Sequence, residues 1–231
     1  MKQDEMKEVL KIVVKVEISV LLDEAGRLDP GRMERLAMVL SNLANSGTHI
    51  FLVSSGAIYL GAQLLGLPAQ PEGLVDKQAM AAVGQAELMK LYRRHFEGYN
   101  QTVAQVLLTG DIFADNERSG NARNTLNHLS RQEIIPVINE NDSVSTEDIE
   151  MDDNYYLVRA VAGLMQAHLI LVKGKEKNTW YLVRRGSPED HEEIEEKKIV
   201  SRIHELAPRV MEEKYLNRPF PVMLPAEIIQ S

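Results

Sequence analysis

Ile134-Ile135-Pro136-Val137-Ile138-Asn139-Glu140-Asn141-Asp142-Ser143 changes character at a single peptide bond. The apolar run Ile134–Ile138 reads as a strand buried on both faces. The polar residues that follow fall at its carboxyl-terminal end. Five consecutive hydrogen-bonding side chains there are poor material for a simple turn. They suit recognition of a small polar molecule that carries both an amine and a carboxylate.

The same alternation extends outward along the chain. Towards the amino terminus, Lys11–Leu22 reads as a buried strand with Ile12, Val13, Val14, Val16, Ile18 and Val20. A helix follows, with Asp29 as N-cap, Pro30 in its first turn and Gly47 at its end. Ile50–Val53 is a second strand that runs into Ser54-Ser55-Gly56, and Ala57–Leu65 is helical. Asp76 is placed to cap a long helix over Lys77–Tyr99, Thr102–Leu108 is a third strand, and Asn121–Arg131 is another helix. Beyond the opening stretch come a helix over Tyr156–Gln166 and a fifth apolar run, His168–Val172. Strand and helix in this alternation mean a mainly parallel sheet covered on both faces.

After Lys173 the pattern weakens. Trp180–Val183 is a short apolar run, and the Glu- and Lys-rich Pro188–Lys198 reads as a solvated helix face or loop. Ile199–Lys214 reads as a last helix interrupted at Pro208.

Composition removes whole classes of function. The chain has 231 residues, 44% of them hydrophobic, enough for one substantial core. A net charge of −8 argues against nucleic-acid binding, which needs a basic surface. The absence of cysteine excludes disulfides, thiolate zinc sites and a cysteine nucleophile. Neither a membrane-length apolar run nor a signal-peptide core is visible, so a cytoplasmic location is expected. His49, His95, His128, His168, His191 and His204 show no ligand spacing, so no metal site is expected on them.

The candidate functional residues sit at strand ends, where an open parallel sheet binds its ligands. Ser54-Ser55-Gly56 offers backbone N–H groups and a helix start to an anion, or simply caps that helix. Lys15 lies inside a strand, where a charge needs a partner or an anionic ligand. Asp148, Glu150, Asp152 and Asp153 either hold a metal through oxygen ligands or favour the positive end of the helix beginning near Asn154.

These residues also carry a resemblance. Val13-Val14-Lys15 with Ser19-Val20-Leu21, Val53-Ser54-Ser55-Gly56-Ala57-Ile58, Lys77-Gln78-Ala79 with Ala82-Val83-Gly84-Gln85, and Asn121-Ala122-Arg123-Asn124-Thr125 occur in the order of the glutamate 5-kinase family. Pro136-Val137-Ile138-Asn139-Glu140-Asn141-Asp142 is the most specific match, and the similarity is near-continuous from about residue 11 to 170. The resemblance implies a three-layer αβα sandwich and transfer of the ATP γ-phosphoryl group to the glutamate side-chain carboxylate, the first step of proline synthesis. By position it implies that Ser55, Gly56, Asn139, Asp142 and Asn154 bind glutamate and that Lys15 neutralises the transferring group. It also implies Mg-ATP as cofactor and a homo-oligomer, dimer or tetramer, associated through helices near the acceptor site.

Four departures fall together. The family's glycine two residues after the strand lysine is Glu17, which opposes phosphate by charge and bulk. Its Gly-Asp-Asn-Asp motif reads Asp152-Asp153-Asn154-Tyr155, so the last carboxylate has become Tyr155. Its Asp-Gly-Leu-Tyr-Thr-like nucleotide segment reads Lys175-Glu176-Lys177-Asn178-Thr179-Trp180-Tyr181. Its Gly-Thr-Gly-Gly-Met loop with a second lysine has no counterpart between Ile199–Met211 and Pro221-Val222-Met223-Leu224, nor has the RNA-binding-like domain that follows in many bacterial members.

The expectation is therefore one amino-acid-kinase-like domain. Residues 11–172 form a well-matched acceptor half, and residues 173–231 a shortened, divergent nucleotide half. It is expected to be a weak or inactive glutamate 5-kinase. The alternatives are a non-catalytic amino-acid-binding or regulatory relative and a ligand-free assembly scaffold. Tyr155 and Trp180 are bulky enough to fill the former nucleotide site.

Overall fold

The computed structural model describes residues 9–144, 154–175, 178–185, 191–212 and 218–220. The acidic stretch Asp148–Asp153, the side chain of Asn154, and Pro221–Leu224 lie outside the described residues.

Seven strands form one sheet: β1 (Lys11–Val16), β2 (His49–Ser54), β3 (Val103–Leu108), β4 (Ile135–Glu140), β5 (Leu169–Lys173), β6 (Thr179–Arg184) and β7 (His191–Glu195). Their spatial order is β3-β4-β2-β1-β5-β6-β7. The first five run parallel, and β6 and β7 are added antiparallel. The helices are α1 (Pro30–Asn45), α2 (Ala57–Leu64), α3 (Leu74–Glu97), α4 (Asn116–Arg131), α5 (Asn154–Leu164) and α6 (Ile199–Val210).

The period of two along each strand builds two cores. Ile12, Val14, Val16, Ile50, Leu52, Leu169, Leu171, Trp180 and Leu182 face α1, α3 and α6. Val13, Phe51, Val53, Ile138, Ile170, Val172 and Val183 face α4 and α5. A sheet buried on both faces is the middle layer of an αβα sandwich.

Local chemistry sets the helix ends. The Asp29 carboxylate accepts from the N–H groups of Gly31 and Arg32, and Pro30 supplies the preset φ of a first helical residue. Asp115 caps α4 in the same way, which starts that helix five residues before the expected Asn121.

Four sequence expectations need correction. The strand expected over Lys11–Leu22 ends at Val16, because Val16 opposite Ser54 is the last pair in the β1–β2 register. Beyond it the chain folds into a 3-10 turn, Ile18–Leu21, closed by Val20 N–H to Glu17 O. Asp76 does not cap α3. That helix begins at Leu74 behind Gly73, and Asp76 lies in its first turn, where a carboxylate favours the positive helix end. Over its described residues the charge run is not wholly a solvated helix or loop, since His191–Glu195 is the edge strand β7 and only Glu196–Lys198 forms a 3-10 turn. Ile194 of β7 is buried opposite Trp180 while glutamates line its outer side, and a charged edge discourages pairing with another sheet. Pro208 does not interrupt α6, which carries it within the last turn and continues to Val210.

Candidate functional site

The carboxyl ends of β1, β2 and β4 open onto a cleft of about 270 Å³. Lys15, Ser55, Gly56, Asn139 and Asp142, all read from the sequence as site residues, line it together. Asn154 opens α5 nearby in sequence to Tyr155, its side chain outside the described residues.

Each side chain is placed by its element. Lys15 is the penultimate residue of β1 and points to the α5 face of the sheet, where it is 8% exposed. Its Nζ is 2.8 Å from Oε1 of Glu17 and 5.7 Å from the ring centre of Tyr155. The buried lysine therefore has a partner within the protein, and an aromatic ring beside it. Ser55 N–H donates to the Val16 carbonyl, tying the turn to the end of β1. Gly56 has φ +110°, and a Cβ there would lie 2.4 Å from Cβ of Ile18, so only glycine turns the chain into α2.

Below the turn, Ser54 Oγ and the Tyr92 hydroxyl share a buried 2.7 Å hydrogen bond. Burial pushes the Tyr92 hydroxyl up to about 12. Asn139 Nδ2 donates to Gln85 Oε1 at 2.9 Å, and Asn139 Oδ1 accepts from Glu140 N–H at 2.9 Å. Those two bonds fix which end of each amide is which. A second cavity of about 280 Å³ adjoins the first, with Ala57, Glu140 and Asp142 in both walls.

Sequence reasoning did not name Lys77, Glu140 or Gln85 individually as binding residues. Lys77, from the first turn of α3, and Glu140, from the end of β4, both line the cleft. Among the described lining residues the charges therefore balance, Lys15 and Lys77 against Glu140 and Asp142. Glu140 belongs to the polar run after β4, and Lys77 and Gln85 to the matched helical motifs, but no local pattern assigns these three side chains a binding role.

A second buried lysine was also missed. Lys173 ends β5 on the opposite face of the sheet from Lys15 and is 7% exposed. Its Nζ donates to the Thr179 carbonyl at 3.1 Å, lies 3.8 Å from Glu196 Oε2, and sits 5.4 Å from the Trp180 ring centre. Trp180 is fully buried and donates from Nε1 to Glu196 Oε2 at 3.1 Å. Arg35 Nε reaches the other Glu196 oxygen at 3.5 Å. Tyr155 thus borders the cleft through Lys15, while Trp180 is a core residue on the α1 side of the sheet.

Burial holds the Lys173 amine down to about 8, with Glu196 opposing and Arg32 and Arg35 adding to the depression. Above that value the folded state has released a proton that the unfolded chain keeps until its ordinary pKa of 10.5. Unfolding free energy should therefore rise between pH 8 and 10.5, at a slope of up to about 1.4 kcal/mol per pH unit from this group. Urea titrations of the protein and of Lys173→Met check this. An identical profile in both would show that Lys173 titrates normally.

With the geometry described, similarity to known proteins can be placed on it. The sequence profile of the amino acid kinase family matches residues 11–176. The chain belongs to the amino acid kinase family. The match runs from β1 through β5 and therefore includes every strand whose end forms the cleft.

Two amino acid kinase relatives show where the similarity lies. Glutamate 5-kinase of Geobacter sp. is 45% identical over 172 residues, 74% of this chain and 46% of that protein. Glutamate 5-kinase of Listeria welshimeri is 43% identical over 174 residues, 74% of this chain and 63% of that protein. The matched region spans less than two-thirds of either relative. UMP kinase from Bacillus anthracis is similar in structure at a TM-score of 0.46 and 18% identity, covering 71% of this chain and 64% of that one.

Among the described residues, no group of three or more His, Asp or Glu gathers in a way that could hold a metal ion. No described helix is long and apolar enough to cross a membrane.

Proposed function

We propose that this chain is a cytoplasmic relative of glutamate 5-kinase that binds glutamate or a similar small amino acid in the cleft and transfers phosphoryl groups weakly or not at all. Ser55, Gly56, Asn139, Asp142 and Asn154 are the proposed binding residues, and Lys15 is the residue that would neutralise a transferring phosphoryl group. The observation that carries the reading is the 2.8 Å pair between Lys15 and Glu17 at the cleft. A cation meant for a transferring phosphoryl group has its charge met by a carboxylate on the neighbouring turn.

Among the described residues, those at the cleft do not fit a nucleotide polyphosphate. Lys15 is paired with Glu17, and Tyr155 stands beside it where the family carries a carboxylate. Lys173 faces Glu196 in the opposite core. The cleft's balanced charges match a zwitterion better than a polyanion.

Thermal denaturation with glutamate, proline, ADP and Mg-ATP tests this. Saturating glutamate or proline should raise the unfolding free energy by about 2.7 kcal/mol at a hundredfold excess over Kd. Asp142→Asn should remove that response, and Mg-ATP alone should leave the protein unchanged. Glu17→Gly should free Lys15 and create a response to ADP. Stabilisation of the unaltered protein by Mg-ATP, or ATP-dependent hydroxamate formation from glutamate at an enzymatic rate, would defeat the proposal of lost transfer. An absence of any amino-acid response would favour an assembly scaffold, in which the homo-oligomer is the function.

A further inference from the structure

The charged groups that line the cleft are not equally available. Lys15 is held by Glu17 at 2.8 Å, and Glu140 and Asp142 each have partners of their own. Lys77 differs from all three. Among the described residues its amine makes no hydrogen bond and no ion pair, and it is not sealed from solvent. The neutral donors around it are largely committed. Ser54 Oγ shares its bond with Tyr92, the Tyr59 hydroxyl donates to the Gly26 carbonyl, and Asn139 Nδ2 donates to Gln85.

The position of Lys77 does nothing for its own helix. It lies in the first turn of α3, where the positive helix end disfavours a cation. The other lysine of α3, Lys90, is paired with Glu87 at 3.0 Å, and its side chain is 66% exposed. Lys77 is instead half-buried in the wall of the cleft, so its amine faces whatever enters.

We infer that Lys77 is the specificity-determining residue of the cleft, holding the second carboxylate of an acidic amino acid and so favouring it over a neutral one. This rests on the cleft being an amino-acid site. An ammonium and one carboxylate answer Glu17 and Lys15 as a pair. A dicarboxylic ligand then has one carboxylate over, and Lys77 is the cation among the described lining residues left to meet it. A lone carboxylate on a partly exposed lysine gains little, as surface ion pairs do. A carboxylate already positioned by the rest of its molecule makes the same charge-assisted hydrogen bond without a further loss of freedom.

Titration calorimetry of the full chain with glutamate, glutamine and proline, at low and at physiological ionic strength, tests this. Lys77→Met keeps an unbranched apolar stem and removes the charge. It should weaken glutamate by about tenfold or more, the worth of one charge-assisted hydrogen bond, while glutamine and proline stay within about twofold. Glutamate should also lose part of its salt dependence in that variant. Lys77→Arg should keep the preference for glutamate, and Lys90→Met, on the same helix, should leave all three affinities unchanged. Equal weakening of glutamate and proline would mean that Lys77 supports the cleft without selecting its ligand. An unchanged glutamate affinity would mean that the amine makes no contact, and either result overturns the inference. If no amino acid binds the unaltered protein, the amino-acid site itself fails, and this assignment falls with it.

Discussion

Trp180→Ala should destabilise the protein by about 3–5 kcal/mol, the usual cost of emptying a large buried aromatic site. For a chain of this size that lowers the melting temperature by roughly 6–20 °C. The indole is completely buried between β5 and β7, facing Lys173 on one side and Ile194 on the other. Its removal leaves a cavity against α1 and α6 and takes a donor from the Glu196 carboxylate. Lys173 also loses the ring beneath its amine. Trp180→Phe is the milder change, because it keeps a buried aromatic ring while losing the N–H and part of the volume. Equilibrium denaturation of the two variants should give a larger loss for alanine. A loss below about 1 kcal/mol for Trp180→Ala would mean that this side of the sheet repacks freely.

Gly84→Ala should act on the cleft itself. A Cβ at Gly84 would lie 1.8 Å from the Ala57 carbonyl oxygen and 2.4 Å from the Gly61 nitrogen. A Cβ at Gly61 would lie 2.0 Å from the Met80 carbonyl. Helices α2 and α3 cross here backbone to backbone, so one methyl group drives them apart. The expected cost is at least about 1–3 kcal/mol, the range for overpacking a tight contact. Ala57 lines both cavities, so the amino-acid response should weaken along with stability. Gly163 in α5 is the control, because a Cβ there meets nothing within 4 Å. Gly163→Ala should be neutral or stabilising, since alanine favours a helix by up to about 1 kcal/mol over glycine. Equal melting temperatures for the two variants would refute this account of the helix crossing.

The sheet was legible in the sequence because it obeys one rule throughout. Apolar runs such as Ile50–Val53 and Ile134–Ile138 are buried on both faces, and the polar residues that end them collect at one edge. Ser55, Asn139 and Asp142 could be found because polar chemistry directly after a buried strand is unusual. Glu196 could not be found, because it sits in a run of glutamates and lysines that reads as solvent-facing. Only the pairing of β6 with β7 brings it against Trp180. Lys173 was obscured by its position at the end of an apolar run, where a lysine ordinarily reaches water. The extended reading of Lys11–Leu22 failed for a topological reason. Hydrophobicity continues past Val16, but the neighbouring strand does not.

The ion pair between Lys15 and Glu17 turns binding in the cleft into an exchange. A ligand that brings only a negative group must displace Glu17 and leave it without its cation, so much of what it gains is returned. A ligand that brings an ammonium group as well can satisfy both partners at once. Under the proposed function, selectivity for molecules of mixed charge would arise from what is undone on entry, before any contact with Asn139 or Asp142 is counted. Affinity for a net-neutral amino acid such as proline should vary little with ionic strength, because it adds no net charge to the cleft.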